Sequence, residues 1–171
     1  MATTAEAAAI IDRNNDPQGD HYGVAANVST SFWGGGGAFT PAQEAAARAV
    51  LQEWSDVAQV NFFTDNSDPE LAFNNYNKAS DSASAHTTKT GEGNFNPDTT
   101  HEIGFNLANT SGNMLGQGQV DRTALIHEVG HGLGLKHPGG YNAGPAGSPP
   151  PTYATDKAYV EDSQQYSVMS Y

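Results

Sequence analysis

The first two thirds of the chain contain short stretches in which apolar and polar residues alternate. Alternation with a period of two is typical of strands that bury one face. It predicts strands over 24–33, 60–63, 71–76 and 103–107. The stretch 82–87 also alternates but is mostly polar, which predicts a strand at the edge of a sheet.

The first predicted helix begins at Pro41, where the apolar spacing changes to the helical period. Thr40 supplies an N-cap, proline suits the first helical position, and Gln43 completes a capping box. The apolar residues that follow share one helical face, which is expected to be buried. They are Ala47, Val50, Leu51, Trp54 and Val57.

The second predicted helix runs from near Asp121 to about Leu133. Its apolar residues fall within roughly 100° of the helix circumference; they are Leu125, Ile126, Val129 and Leu133. His127 and His131 lie on the far side of that arc, about 40° apart. This helix is therefore expected to bury one face and to offer the other to a cleft.

The order of these elements is strands with one helix, then a second helix, then a segment rich in Gly and Pro from Gly139 onward. That order predicts an α+β fold with an irregular C-terminal part. A length of 171 residues suits one domain. We expect an N-terminal tail over 1–20 and one domain over 21–171.

Charge and cysteine content exclude several classes of function. The chain carries 7 Lys and Arg against 19 Asp and Glu, a net charge of −12, which disfavours nucleic acid and anionic membranes as partners. Because the sequence has no cysteine, a transition metal must be bound by His, carboxylate, Tyr or water. No apolar stretch approaches the roughly 18 residues that a membrane helix needs.

The segment 127–137, HEVGHGLGLKH, holds three of the six histidines. Residues four apart share a helical face, so His127 and His131 can both direct an imidazole at one ion. The side chain of Glu128 is expected to lie beside such an ion rather than to bind it, which is the position that a general base needs to take a proton from a metal-bound water. This pattern predicts a catalytic metal site.

The third histidine, His137, is too far along the chain to share the face of a straight helix. Gly134 can take a left-handed conformation, end the helix and turn the chain back towards the same ion. Three imidazoles leave an open position for water, which is typical of a catalytic zinc site. An amphipathic helix with incidental histidines is the weaker interpretation, because four positions and a glycine would have to coincide.

Other histidines lack this spacing. His101 and Glu102 begin like the motif, but Phe105 stands where the second histidine should be, so both are expected to be ordinary surface residues. His21 and His86 have no ligand at a useful spacing and are expected to be solvated or at the edge of the core.

The segment 127–137 is similar to the zinc signature of the metzincin metallopeptidases, and 167–171, SVMSY, resembles their Met-turn. Three further segments, 52–58, 137–144 and 159–166, resemble the serralysins, a family of secreted bacterial proteases. The resemblance implies a metzincin fold: a twisted mixed sheet with an edge strand over the cleft, a zinc-binding helix and a terminal Met-turn.

The resemblance also implies a role for individual residues in zinc binding and catalysis. His127, His131 and His137 would be zinc ligands, and Glu128 would be the general base. Tyr171 would ligate zinc in the resting enzyme and then move away to stabilise the oxyanion.

Two further parts of the site follow from the same resemblance. Met169 would form an apolar floor beneath the zinc without binding it. The strand predicted over 82–87, including Ser84, Ala85 and His86, would pair with an extended substrate through backbone hydrogen bonds.

We therefore expect a zinc-dependent endopeptidase that cleaves extended polypeptides with a zinc-activated water. The alternative is an inactive or incomplete protease-like fragment that binds zinc and a protein partner without turnover. Serralysins continue beyond this tyrosine with a C-terminal helix and a calcium-binding repeat domain, neither of which is in this sequence. We expect zinc as the cofactor; calcium is a possible ligand of the full-length family but has no support in this sequence. The expected partners are a polypeptide substrate, a second chain or missing part that completes the fold, and a protein inhibitor. A secreted, extracellular location is expected.

Overall fold

Five strands form one mixed sheet in the part of the chain that the structure describes. The computed structural model describes residues 26–32, 37–81, 83–89, 100–110, 120–141, 149 and 151–170. The strands are β1 (Ala26–Ser31), β2 (Val60–Thr64), β3 (Leu71–Tyr76), β4 (Ala85–Lys89) and β5 (His101–Asn106). Their order is β2-β1-β3-β5-β4. Among these five described strands β4 alone is antiparallel to its neighbour, so the predicted mixed sheet with a polar edge strand is confirmed.

The chain divides into two compact units. The first, which we call the sheet unit, comprises Asp20–Leu133, and the second, which we call the loop unit, comprises Met1–Gly19 and Gly134–Tyr171. The predicted division into a tail over 1–20 and a domain over 21–171 stays a prediction. No helix in the described ranges is long and apolar enough to span a bilayer.

The first helix, α1 (Pro41–Val57), begins with the predicted capping box. The Gln43 amide donates to Thr40 Oγ1 at 3.3 Å, and the Thr40 amide donates to Gln43 Oε1 at 2.9 Å. The Gln43 side chain is buried and also donates to Asn75 Oδ1 in β3 at 2.9 Å. Val57 is 79% exposed, which contradicts its predicted place on the buried face, because the helix ends there and Ala58 is extended.

The core of the sheet unit lies between the sheet and its helices and contains a group of phenylalanines. Phe73 in β3 stacks on Phe32 with ring centroids 5.2 Å apart, and Phe39 contacts Phe105 edge-on at 6.0 Å. All four side chains are buried. Leu107, predicted to continue this strand pattern, lies beyond β5 and is 44% exposed.

The prediction that His101 is a surface residue is wrong. The side chain is 1% exposed. It begins β5, which is flanked by β3 and β4, and it shares a sheet face with the fully buried Ile103. Because residues two apart in a strand point to the same face, His101 is carried into the interior by its register. Glu102, on the other face, is partly exposed.

The described part of the loop unit contains one short helix, α3 (Tyr153–Asp156), among turns. Its buried side chains include Tyr141 and Met169 as well as the polar Asp162 and Ser170. Asp162 is fully buried and accepts hydrogen bonds from the Ala158 amide at 2.8 Å and the Ser170 hydroxyl at 2.6 Å. The Tyr141 hydroxyl donates to the Asp162 carbonyl at 3.4 Å. The predicted irregular C-terminal part is confirmed in outline.

Candidate metal centre and active site

The helix that carries the histidine motif, α2 (Val120–Gly132), is held in the sheet unit by apolar contacts and by α1. Leu125 and Val129 are fully buried in the core. The Trp54 indole of α1 donates to the Ile126 carbonyl at 3.3 Å. These contacts set the rotation of α2 about its axis and therefore the direction in which its histidines point.

Both ends of α2 have a specific attachment. Near the start, Arg122 forms a hydrogen-bonded ion pair with Glu53 of α1. Near the end, a Cβ on Gly132 would lie 2.8 Å from Leu71 Cδ2 and 3.5 Å from Ile103 Cδ1. Glycine at this position therefore lets the helix end approach β3 and β5 closely.

His127 and His131 lie side by side on α2, as their spacing predicts. Their ring centroids are 4.6 Å apart and the ring planes are nearly perpendicular, at 89°. The two residues are 9% and 8% exposed, so both are buried. That this face of α2 is offered to a cleft stays a prediction. Ile126, on the predicted apolar arc, is only partly buried.

The predicted turn after α2 is confirmed. Gly134 has a φ of 101°, in the left-handed region that favours glycine, and the helix ends at Gly132. His137 follows in the loop unit, where its ring lies edge-on to Tyr141 with centroids 6.3 Å apart.

Glu128 is 7% exposed and contacts the edge strand. The Thr87 hydroxyl lies 2.7 Å from Glu128 Oε2 and 2.9 Å from the Glu128 carbonyl oxygen. Burial raises the pKa of the Glu128 carboxyl, while the hydrogen bond from Thr87 and the nearby His127 and His86 act in the opposite direction. Thr87 was not predicted as a functional residue. The one sequence feature that pointed to it is the alternation of 82–87, which puts Thr87 on the same face of the strand as Ala85.

The predicted substrate strand corresponds to β4 in part. Ala85 pairs with Phe105 and His86 with Gly104, while Ser84 directly precedes the strand. Within the described residues no strand pairs with the outer edge of β4. Its role towards a substrate stays a prediction.

His86 lies on the sheet face away from Thr87, at the edge of the core as expected. Its Nδ1 atom is 2.9 Å from the Tyr76 hydroxyl, which donates to Asp81 Oδ2 at 3.1 Å. Burial and the neighbouring Asp81 raise the pKa of the Tyr76 phenol above its usual value, so it stays protonated.

The Met-turn segment lies in the loop unit. Met169 is 1% exposed, and its amide donates to Ser167 Oγ at 3.1 Å. The Ser170 hydroxyl donates a hydrogen bond to the carboxyl group of the buried Asp162. Tyr171 and His21, two residues singled out from the sequence, lie outside the described residues.

The donor set fits the group that the motif implies. His127, His131 and His137 match the ligand type and number of a catalytic zinc site. Zinc accepts such ligands with a fourth position left for water. The residue types therefore suit zinc better than calcium, which prefers oxygen ligands.

Comparison with known proteins is consistent with this donor set, although no family model matches the sequence. Serralysin B of Dickeya chrysanthemi is 33% identical over 174 residues, which cover 88% of this chain and 33% of that protein. Metallopeptidase AprA of Pseudomonas marginalis is 39% identical over 135 residues, covering 78% and 27% respectively. Serralysin of Photorhabdus laumondii is 36% identical over 144 residues, covering 78% and 28%.

These relatives are bacterial metallopeptidases, and the chain is homologous to them over most of its own length. More narrowly, it is a homologue of the serralysins, which confirms the resemblance seen in its motifs. The chain spans about a third of the length of the curated relatives it matches.

Two solved structures of myroilysin also resemble the chain. One is 17% identical with a TM-score of 0.45 and covers 70% of this chain and 53% of that chain. The other is 18% identical with the same TM-score and covers 80% and 58%.

Proposed function

We propose that this chain is a zinc-dependent endopeptidase that hydrolyses peptide bonds in extended polypeptides. The observation that carries the proposal is the arrangement on α2. His127 and His131 have ring centroids 4.6 Å apart, and the buried carboxyl group of Glu128 belongs to the same helical turn. Two imidazoles with an adjacent carboxylate are the components of metal-assisted hydrolysis.

His127, His131 and His137 would hold the zinc. The left-handed turn at Gly134 supports the third ligand, because it redirects the chain three residues before His137. Five Cα–Cα steps separate Gly132, the last residue of α2, from His137, and an extended chain of that length spans at most about 18 Å, which limits how far His137 can lie from the end of α2. Tyr171 is proposed as a further ligand in the resting state. When bound, zinc supplies a Lewis acid that polarises the scissile carbonyl and makes a water more acidic.

Glu128 would take the proton from the attacking water and return it to the leaving amine. Its burial suits this task, because a raised carboxyl pKa makes the group a better proton acceptor and still allows it to donate. Tyr171 would then stabilise the oxyanion, and Met169, buried in the loop unit, would be the apolar floor of the site.

The substrate would bind along β4. The outer edge of this strand has no partner strand among the described residues, and such an edge can hydrogen-bond to an extended peptide, which is how strand addition works in general. Ser84, Ala85 and His86 are the residues proposed to line it.

We further propose a secreted, extracellular location, as for the family that the sequence resembles. A second chain or further segment that completes the fold, and a protein inhibitor, are proposed partners.

The test combines zinc analysis with peptide cleavage on the whole chain. We expect about one zinc per chain, cleavage of casein or a quenched fluorescent peptide, and loss of cleavage with a chelator. Glu128→Gln should keep zinc and lose roughly 10²-fold or more in kcat. His131→Ala should lose the zinc.

His86→Ala is the matched control, because this histidine lies on the sheet rather than in the motif. It should leave zinc content unchanged. Undiminished zinc in His131→Ala would remove the ligand assignment. Zinc binding by the wild-type chain without any cleavage would favour the alternative, a protease-like module that binds a partner without turnover.

A further inference from the structure

Thr87 is placed to control the geometry of Glu128 from the edge strand. Its hydroxyl oxygen lies 2.7 Å from Glu128 Oε2, a distance typical of a hydrogen bond from a hydroxyl to a carboxylate. The same oxygen is 2.9 Å from the Glu128 carbonyl. One side chain of β4 therefore touches both the backbone and the carboxyl group of a single residue of α2.

The position of Thr87 is determined by the sheet. In the antiparallel ladder Thr87 stands opposite Ile103, whose Cδ1 lies 3.5 Å from the Cβ that Gly132 lacks. That face of the sheet is therefore the one on which α2 packs. Threonine is branched at Cβ and has few χ1 rotamers. Because the hydrogen bonds of the sheet fix the backbone of Thr87, they also restrict the positions that its hydroxyl group can take.

A hydroxyl suits this position because it offers one donor and two acceptor sites. Both the Glu128 carbonyl oxygen and Oε2 lie within hydrogen-bond distance of the Thr87 hydroxyl, so it can donate to either one by rotation of its hydrogen alone.

We propose that Thr87 is a positioning residue for the general base, holding the Glu128 carboxyl group in one orientation and linking it to β4, the strand proposed to bind the substrate. The proposal rests on the proposed function, since it assumes that Glu128 is the base. Thr87 acts through Glu128 and needs no contact with the reacting atoms. Its loss should therefore lower kcat and leave substrate binding and zinc binding intact.

The test uses the whole zinc-loaded chain and three variants. Thr87→Val keeps the branched shape and removes the hydroxyl, while Thr87→Ser keeps the hydroxyl and removes a methyl group. Thr88→Val is the control, because Thr88 is exposed and points to the other face of β4. We expect Thr87→Val to lower kcat about 10-fold to 100-fold, the scale of a hydrogen bond to a charged group, with KM within about twofold. Thr87→Ser should recover most of this loss, and Thr88→Val should show none.

A double-variant comparison separates positioning from a merely structural role. In a Glu128→Gln background, Thr87→Val should have little further effect on the residual rate, because the group that it positions is gone. An equal loss in both backgrounds would overturn the proposal. So would unchanged kcat in Thr87→Val, or a Thr87→Ser variant as slow as Thr87→Val.

Crystal structures of the chain and its variants provide a readout that does not depend on activity. The Glu128 carboxyl group should leave its position in Thr87→Val and keep it in Thr87→Ser. An unmoved carboxyl group in Thr87→Val would refute the positioning role even if the wild-type chain proved inactive. Inactivity alone, with the carboxyl group displaced as expected, would count against the proposed function and leave the contact established.

Discussion

The sheet unit and the loop unit are stabilised by different kinds of interior. The sheet unit has a continuous apolar core, with Val28, Phe73 and Leu125 fully buried. The described part of the loop unit has one helical turn and is organised around a buried carboxylate, Asp162. Burial of apolar area stabilises the first. Hydrogen bonds to one buried carboxyl group stabilise the second, and these depend on direction and distance.

This difference implies that the two units respond to different substitutions. An apolar core loses stability in proportion to the volume removed and the cavity left behind. A polar interior loses stability when one partner is removed and another is left buried without a hydrogen bond. The predictions below, ordered from the largest effect to the smallest, test whether that contrast holds.

The largest effect is expected in the sheet unit. Phe73→Ala should lower the free energy of unfolding by about 4 kcal/mol, because the ring is fully buried and stacks on Phe32. Urea unfolding of the whole chain measures this. Phe63→Ala is the matched control, since Phe63 is 49% exposed, and it should cost less than about 1 kcal/mol. Equal losses in the two variants would contradict the apolar core described for this unit.

In the loop unit the corresponding change is Asp162→Ala. The substitution leaves the Ser170 hydroxyl and the Ala158 amide without their acceptor, at a cost of about 3 kcal/mol. Amide exchange should accelerate over 158–170 and change little over 71–76. Asp68→Ala, which removes an exposed carboxylate, serves as control and should leave both segments unchanged. Unaltered exchange over 158–170 would mean that the buried carboxylate does not organise this unit.

Substitutions at two glycines, Gly139 and Gly132, compare how well the two units tolerate added side-chain volume. In Gly139→Ala the new Cβ would overlap the Asp156 backbone oxygen, which cannot move without the chain, so a loss of about 2 kcal/mol is expected. In Gly132→Ala it would meet Leu71 Cδ2, the end of a flexible side chain, and the better helix propensity of alanine offsets part of the cost. We expect a loss below about 1 kcal/mol there.

Gly140→Ala is the control for both, because its nearest neighbour would be 3.8 Å away. Thermal unfolding of the three variants gives the ranking. A Gly132→Ala variant less stable than Gly139→Ala would show that the sheet unit tolerates added volume less well than the loop unit.

The smallest effect at neutral pH is expected for Tyr141, whose phenol produces a pH dependence only in alkaline solution. Burial, with help from Asp162, raises the pKa of this phenol to about 12, compared with 10.0 for the free side chain. Below pH 10 the phenol is neutral in both states and its contribution to stability is complete. Between pH 10 and about 12 the unfolded chain releases the proton first, so stability falls as pH rises. Urea midpoints of Tyr141→Phe should therefore decline less steeply than those of the wild type in this range; parallel declines would contradict the shift.

Features that depend on neighbouring residues in the chain were predictable. The capping box of Thr40 and Gln43 involves a span of three residues, and both of its hydrogen bonds are present. The paired rings of His127 and His131 follow from the geometry of one helical turn, and the left-handed Gly134 follows from the need to end that helix. Such features are determined by local backbone geometry, which the sequence alone specifies.

Features that depend on register or on distant segments were not predictable. His101 is buried because its strand has a neighbour on each side and its register points the side chain inward. Val57 is exposed because it is the last residue of α1. The contact of Thr87 with Glu128 joins residues 41 apart in sequence. Asp162 becomes the centre of the loop unit only when Tyr141, Ala158 and Ser170 surround it. The sequence by itself therefore determined which helix carries the histidines and where it turns. Tertiary packing decided which polar groups surround them, because hydrogen bonds across a fold depend on the relative positions of segments that no local pattern encodes.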